Sequence, residues 1–230
     1  MIDAGRAVAS CSFGKDSLAM CIGLIERGCQ LDEIIFYDTG MEFQAIYKER
    51  DRFAPWFEAH GVKFTQIQPE RPFLYDMFIK PVHGRGGVLH AGYGWCGGAC
   101  RWGTEIKTRL IERHSRHAAI RYVGIAADEP DRIAVKHYPL VEWGMTERDC
   151  LRFCYEHGAE WLEGDVRLYD VLQRVSCWCC RNKNMKELRA IRDYLPEYWE
   201  RLVCMEMAIG EPMKKGVPLP QLFDDQQRLF

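Results

Sequence analysis

The sequence predicts an α/β fold: a parallel sheet with helices on both faces, followed by a C-terminal helical part. Three observations predict it. Short apolar runs of strand length, Ala7-Val8-Ala9, Glu33-Ile34-Ile35-Phe36-Tyr37 and Ile120-Arg121-Tyr122-Val123-Gly124-Ile125, alternate with segments whose apolar residues recur at helical spacing. That alternation implies right-handed crossovers and parallel strands covered by helices. The polar turns Ser12–Ser17 and Asp38-Thr39-Gly40 fall at strand carboxyl ends, where open parallel sheets bind ligands.

A strand over 7–11 is followed by a helix over 16–27 that ends at Gly28. The all-apolar character of Ile34–Tyr37 suits a strand buried on both faces. Phe43, Ile46, Tyr47, Phe53, Trp56 and Phe57 give helical spacing over about 42–59, and Gly61 breaks it. Residues 62–67 alternate and read as a third strand. The stretch 80–103 is a long irregular loop rich in glycine, of a length that is usually functional. A helix over 104–116 and a fourth strand over 120–125 follow. The piece Ala126–Arg132 then lies on the ligand side of the sheet.

Tyr138-Pro139-Leu140 reads as a short extended piece. Thr146-Glu147-Arg148-Asp149 resembles a capping box and opens a helix to about Glu156, ended by Gly158. Residues 165–182 are loop-like. Helices are expected over 183–193 and 196–208, broken at Pro196. The tail from Gly210, with Pro212, Pro218 and Pro220, is expected to be an extended arm.

At 230 residues, 47% hydrophobic and 28% charged, the chain is an ordinary globular one with a sizeable core. A net charge of −2 provides no global basic field to attract nucleic acid. No stretch reaches the length of a membrane span, and the start of the chain has no signal-peptide pattern, so a cytoplasmic location and no membrane contact are expected.

The loop Ser12-Phe13-Gly14-Lys15-Asp16-Ser17 has the chemistry of an anion cradle. Gly14 allows close backbone approach, and the amides that open a helix point at anions. Ser12 and Ser17 add hydroxyls, and Lys15 adds a mobile charge. Asp16 suits a phosphate only with a metal between them, or as a lateral cap.

Eleven cysteines are many for a cytoplasmic chain. Cys11, Cys21, Cys29, Cys150, Cys154 and Cys204 sit in apolar patterns and read as small core residues. Cys96-x-x-x-Cys100 and Cys177-x-x-Cys180 lie in Gly-, Trp- and Arg-rich stretches and read as two pairs of soft metal ligands. A 4Fe–4S cluster, a structural zinc and redox-active or inert thiols all fit the spacing, with Cys179 an alternative ligand or a neighbouring thiol. Trp95, Trp102 and Trp178 would shield such a centre or pack the lid. Arg85 and Lys183 read as solvated surface.

Ser12–Ser17 resembles the S-x-G-x-D-S signature of the PP-loop superfamily. Tyr37–Gly40 resembles the "DTG" of its adenylyl-sulfate and phosphoadenylyl-sulfate (PAPS) reductase-like members. Arg101–Lys107 resembles their R-x-C-T-x-x-L-K segment, with Gly103 in the cysteine slot. Gly124–Arg132 resembles G-x-R-x-x-E-S-x-x-R, with Ala126 for the first arginine. Tyr138-Pro139-Leu140 with Trp143, and Cys177-Trp178-Cys179-Cys180, complete the order over residues 7–185. The E-C-G-x-H motif that carries the reductases' catalytic cysteine is missing from the tail.

The resemblance implies a Rossmann-like, adenine nucleotide alpha hydrolase-like fold. It further implies a nucleotide-binding part over 1–140 and a helical part with the second cysteine pair over 141–230, packed as one unit. It implies ATP and Mg²⁺ as ligands, bound by Ser12, Phe13, Gly14, Lys15, Asp16, Ser17, Asp38, Thr39, Gly40 and Gly124. Lys15, Asp16, Arg101, Lys107 and Arg132 are the expected catalytic residues, and Cys96, Cys100, Cys177 and Cys180 the expected metal ligands. The expected activity is adenylation of a substrate by ATP followed by sulfur transfer. The acceptor is open between a nucleic acid and a small molecule, and a sulfur-donor protein is an expected partner. Two alternatives stay open: a sulfonucleotide reductase using another thiol such as Cys179, and a non-catalytic nucleotide-binding subunit with structural zinc.

Overall fold

The computed structural model describes residues 5–84, 86–96, 98, 100–132, 137–214 and 216–223, with side chains left out at 101–103. In chain order the elements are β1 Ala7–Ser10, α1 Lys15–Glu26, β2 Glu33–Tyr37, α2 Gln44–Ala59, β3 Lys63–Ile67 and α3 Phe73–Phe78. There follow β4 Pro81–His83, β5 Leu89–Ala91, a π-helix Arg101–Ile106, α4 Lys107–His114 and β6 Ile120–Val123. The remainder is α5 Pro139–Glu142, α6 Glu147–Glu156, α7 Leu168–Val171, α8 Met185–Tyr194 and α9 Pro196–Ile209. Among the described residues, no helix is long and apolar enough to cross a membrane.

The chain forms two compact units: residues 1–38, 42–68 and 107–162 in the first, and 39–41, 69–106 and 163–230 in the second.

The first unit is the expected α/β layer. Its four strands run parallel in the order β3-β2-β1-β6, flanked by helices. Burial explains the order. β2 is buried throughout, whereas β3 has exposed Lys63 and Gln66 and forms an edge. Ser10 of β1 is paired with Ile35 of β2 on one side and Val123 of β6 on the other. The strand order reverses at β1, so the loops leaving β1 and β6 flank the switch point where such sheets bind ligands.

Glu33 sits inside the apolar run yet is 1% exposed. Arg6, Lys63, His114 and the Thr65 hydroxyl all meet its carboxylate, which makes its burial tolerable. The capping box at α6 forms as read, with Thr146 and Asp149 exchanging hydrogen bonds. Cys11, Cys21, Cys150 and Cys154 are buried core residues, while Cys29 is half-buried and Cys204 exposed.

Four expectations are corrected. Tyr138-Pro139-Leu140 is not extended: Pro139 opens the single-turn helix α5, a position its fixed φ favours. The stretch 80–103 is not wholly irregular, because β4 and β5 pair antiparallel within the second unit. Gly92 ends that hairpin at φ +67°, where a Cβ would lie 2.0 Å from the Met77 carbonyl oxygen. The helix expected over 104–116 starts as a π-helix at Arg101, where the amides of Thr104 and Glu105 both reach the Cys100 carbonyl.

The tail is not an extended arm. Glu206, 6% exposed on α9, accepts the backbone N–H groups of Met213 and Leu219 at 2.7 Å each and folds the tail back. Met213, Leu219 and Phe223 are buried as a result.

Gly124 follows β6 immediately. A Cβ there would lie 2.7 Å from Ser17 Cα and 2.9 Å from Ser17 N, so only glycine lets the first turn of α1 approach the end of β6. Gly124→Ala is expected to cost about 1–3 kcal/mol, read as a lower urea midpoint with an unchanged m-value.

Candidate functional site

In the first unit, the loop between β1 and α1 is shaped by Ser17. Its hydroxyl donates to the Gly14 carbonyl (3.2 Å), accepts the Ser12 N–H (3.0 Å) and lies 3.1 Å from the Ser12 hydroxyl. Gly14 is the N-cap of α1 and supplies no side chain to its first turn. Phe13 adopts φ +56°, a left-handed conformation uncommon for an aromatic residue. Its ring is fully buried, edge-on to Phe36 and Phe64 and stacked on Phe57. Phe13 therefore offers a ligand its backbone and not its ring. The Phe13 carbonyl accepts the indole N–H of Trp161 at 2.7 Å.

Trp161 is itself left-handed, φ +49°, and fully buried. Glu49 of α2 fixes it by accepting the backbone N–H groups of Glu160 and Trp161 at 3.0 and 3.1 Å.

Lys15 is 7% exposed. Its ammonium lies 3.0 Å from Asp16 and 3.4 Å from Glu147. Asp16, Glu129 and Glu147 bring one carboxylate oxygen each within 4.8 Å of one another. Burial pushes the Asp16 carboxyl above the usual range, Lys15 opposes this, and Glu147 and Glu129 add to it. Arg132 is exposed, and its guanidinium pairs with Glu129 at 2.6 Å.

Lys107, at the start of α4, is half-buried, and its charge acts on Cys11 at the end of β1. Burial raises the Cys11 thiol. Hydrogen bonds to Cys21, the Phe13 backbone and Ser17, together with Lys107, bring it below its ordinary value.

Sequence reasoning missed Glu129 and Glu147. Glu129 lies in the ligand-side piece Ala126–Arg132 after the fourth strand, and Glu147 reads in the sequence only as part of a cap.

Asp38 follows β2 directly and is 8% exposed. Its carboxylate accepts the Tyr47 hydroxyl (2.7 Å), Gln66 (3.0 Å) and Gln68 (3.3 Å). Burial and this bond raise the Tyr47 hydroxyl above its ordinary value. These partners hold the Asp38 carboxylate in place, and the carboxylates grouped near Lys15 are Asp16, Glu129 and Glu147.

The second unit holds the cysteine motifs. Cys96, Cys100, Cys177, Cys179 and Cys180 all line one cavity of about 130 Å³, with Phe73, Met77, Trp95 and Arg181 among its other walls. The backbone explains the convergence. The Cys180 N–H donates to the Cys177 carbonyl, a turn that brings the two ends of C-x-x-C together. Asn182 then pairs with Gly98 in both directions, accepting its N–H at 2.9 Å and donating to its carbonyl at 2.8 Å. That amide ties the early cysteine loop to the late one. Lys214 donates to the carbonyls of Arg181 (2.7 Å) and Lys183, and Arg181 Nε donates to the Met213 carbonyl (2.9 Å).

Thr39 belongs to this second unit. Its hydroxyl lies 3.5 Å from the Cys177 thiol and accepts the Met41 N–H at 3.1 Å. The Trp178 N–H in turn donates to the Met41 carbonyl. Gly40 is exposed at φ +74°. Trp95 walls the cavity, and Trp178 packs on Tyr198 at 5.8 Å. The side chains of Arg101 and Trp102, and all of Arg85, lie outside the described residues.

Lys183 is not on the solvated surface as read. It is 2% exposed, on a segment tied down by Asn182 and Lys214 that runs straight into α8. Burial lowers its ammonium below the ordinary value, opposed by Glu187 and by Cys180, Cys177 and Cys179.

No family model matches the chain. It is similar to an uncharacterized protein of Methanocaldococcus jannaschii, with 24% identity over 213 residues, which is 83% of this chain and 39% of that protein. The chain thus spans well under half the length of that relative.

Trp161→Phe would leave the buried Phe13 carbonyl without its donor. The expected loss is about 1–3 kcal/mol, checked by chemical denaturation.

Proposed function

We propose that this chain is a PP-loop enzyme with an adenine nucleotide alpha hydrolase-like fold, which adenylates a substrate with ATP for sulfur transfer and carries a 4Fe–4S cluster. The observation that carries this reading is the convergence of five cysteines from two distant stretches on one cavity. Soft thiols, apolar walls at Phe73 and Met77 and a cationic Arg181 suit an anionic iron–sulfur group. The ligands would be Cys96, Cys100, Cys177 and Cys180, and Cys179 would be the neighbouring thiol. A cluster bound there supplies soft iron sites for an incoming sulfur.

The rest of the reading rests on the loop at the strand-order reversal. The amides that open α1, with Gly14 beside them, would cradle the ATP phosphates. Lys15, now held by Asp16 and Glu147, would turn to the phosphates and stabilise charge developing on the pyrophosphate. Asp16, Glu129 and Glu147 would hold Mg²⁺, a hard cation that takes carboxylate oxygens together with phosphates. The substrate oxygen attacks the α-phosphorus and pyrophosphate leaves. A sulfur nucleophile then takes the place of that oxygen, which departs with AMP. Arg132 and Lys107 are the cations that would meet the nucleotide's negative charge.

Iron and sulfide content decides the central claim. Strictly anaerobic purification is expected to give about four irons and four sulfides per chain, both lost in Cys177→Ala. One zinc, or no metal, in the wild type would end this reading.

ATP with Mg²⁺ is expected to raise the thermal midpoint more than adenylyl sulfate does, and Lys15→Ala to weaken that binding at least about ten-fold. Equal stabilisation by adenylyl sulfate would favour a sulfonucleotide ligand.

Protons compete with Mg²⁺ at Asp16. Its carboxyl is raised in the folded chain, so the protonated form stabilises the fold, and that stability is lost as pH rises through the raised value. Mg²⁺ restores stability on the alkaline side, by about 2.7 kcal/mol at 100 times its Kd. The Mg²⁺-induced rise in melting temperature is therefore expected to shrink as pH falls toward the carboxylate range, and to vanish at all pH values in Asp16→Asn.

A further inference from the structure

We propose that the groove between the end of β3 and α4, in the first unit, is an anion site apart from the Lys15 loop, and that it takes successive phosphates of a nucleic-acid backbone. The proposal needs neither the ATP reading nor the metal reading.

The groove has a volume of about 500 Å³, and its walls are Ile67, Leu110, Arg113, His114, Arg116 and His117. Two arginines and two histidines thus line one concavity, with Ile67 and Leu110 as its apolar part. All of these residues belong to the first unit. A concavity lined by one sign of charge focuses the potential and concentrates anions. The whole chain carries a net charge of −2, so this field is local.

The fold does not neutralise that charge. Among the described residues, neither Arg113 nor Arg116 pairs with a carboxylate, and Arg116 Nε donates to His117 Nε2 at 2.9 Å. His114 meets Glu33 at 3.2 Å, but Arg6 and Lys63 share the same carboxylate. Glu112, the one acidic residue over 107–117, is exposed and is not a wall of the groove.

The spacing of the cations suits a row of phosphates. Ser115 carries the helical turn past the end of α4, its N–H (2.9 Å) and hydroxyl (2.8 Å) both donating to the Ile111 carbonyl. Arg109, Arg113 and Arg116 therefore recur at i, i+4 and i+7 on one helical face, and all three are exposed. At about 1.5 Å per residue they cover about 10 Å, the axial length of about three phosphates of one strand. A guanidinium meets phosphate oxygens through two parallel N–H donors. A lipid surface would need apolar side chains to insert beside the charges. The large exposed ones, such as Leu74, Ile79, Val88 and Leu89, belong to the second unit, and none borders the groove.

Three proteins are compared without ATP or added metal: wild type, the pair Arg113→Ala with Arg116→Ala, and the pair Arg113→Lys with Arg116→Lys. Each is titrated against fluorescein-labelled single-stranded oligonucleotides of two unrelated sequences, by fluorescence anisotropy over a salt series. The thermal midpoint checks folding. For wild type, log K is expected to fall by about 2 per decade of salt, about 0.7 for each of about three phosphates. Both sequences are expected to bind alike, because phosphate contacts carry no sequence information. The alanine pair is expected to bind at least about ten-fold more weakly and to lose about 1.4 of that slope. The lysine pair, which keeps the charge, is expected to stay near wild type.

A wild type that does not bind overturns the proposal, as does an alanine pair with wild-type affinity and slope. An equal loss in the alanine and lysine pairs also overturns it. Displacement of the oligonucleotide by pyrophosphate at equal phosphate concentration would assign the groove to a small phosphate ligand. Displacement by polyglutamate at equal charge would assign it to an acidic protein, and either result ends the nucleic-acid reading. If the alanine pair does not fold, Arg113→Gln and Arg116→Gln are judged singly by the same criteria.

Discussion

The first loop depends on one hydrogen bond between two residues in an uncommon backbone conformation. Phe13 and Trp161 both have positive φ without being glycine, a cost of order 1–3 kcal/mol each. The Trp161 indole N–H donating to the Phe13 carbonyl joins the two. What offsets the cost is visible around them. Both rings are fully buried, Phe13 among three phenylalanines, and Glu49 accepts the backbone of the Trp161 turn. A ligand loop normally gains such shape from glycines. Here the aromatic core of the first unit imposes it, so Gly14 is left to serve close approach alone.

The second unit solves a different problem with similar means. The cysteines of its cavity come from two stretches in which the described residues between Gly92 and Cys100 and between Leu172 and Asn184 form no helix or strand. Side chains substitute for a sheet. The Asn182 amide reproduces a two-way backbone pairing with Gly98, and Lys214 bridges two carbonyls of the late loop. Glu206 does for the tail what Glu49 does in the first unit, a buried carboxylate accepting two backbone N–H groups. The side-chain ties hold the early and late cysteine loops together around one cavity.

The sequence was legible where periodicity was long and breakers were sharp. β1, β2, α1, α2 and the Thr146 cap were all visible, because apolar runs or glycines bounded them. The hairpin β4–β5 was not, since three-residue strands are too short to display a period of two. The tail was misread because its prolines speak against helix and strand but say nothing of a buried carboxylate that gathers the chain back. At the site, Lys15, Asp16 and the five cysteines were legible as residue types with a chemistry. Glu129 and Glu147 become neighbours of Asp16 only through folding. Lys183 looked like surface because a lone lysine in a polar segment usually is. Its burial is a property of the folded segment, which Asn182 and Lys214 tie down, and no local pattern announces it.

The interleaving of the two units has its own consequence. The chain passes between them at 38 and 39, 41 and 42, 68 and 69, 106 and 107, and 162 and 163. No single cut of the chain separates them, so neither unit is one continuous segment that could be expressed alone by truncation. During synthesis the sheet of the first unit also waits for β6, more than a hundred residues after β1, before it is complete. The order of manufacture is therefore not the order of assembly.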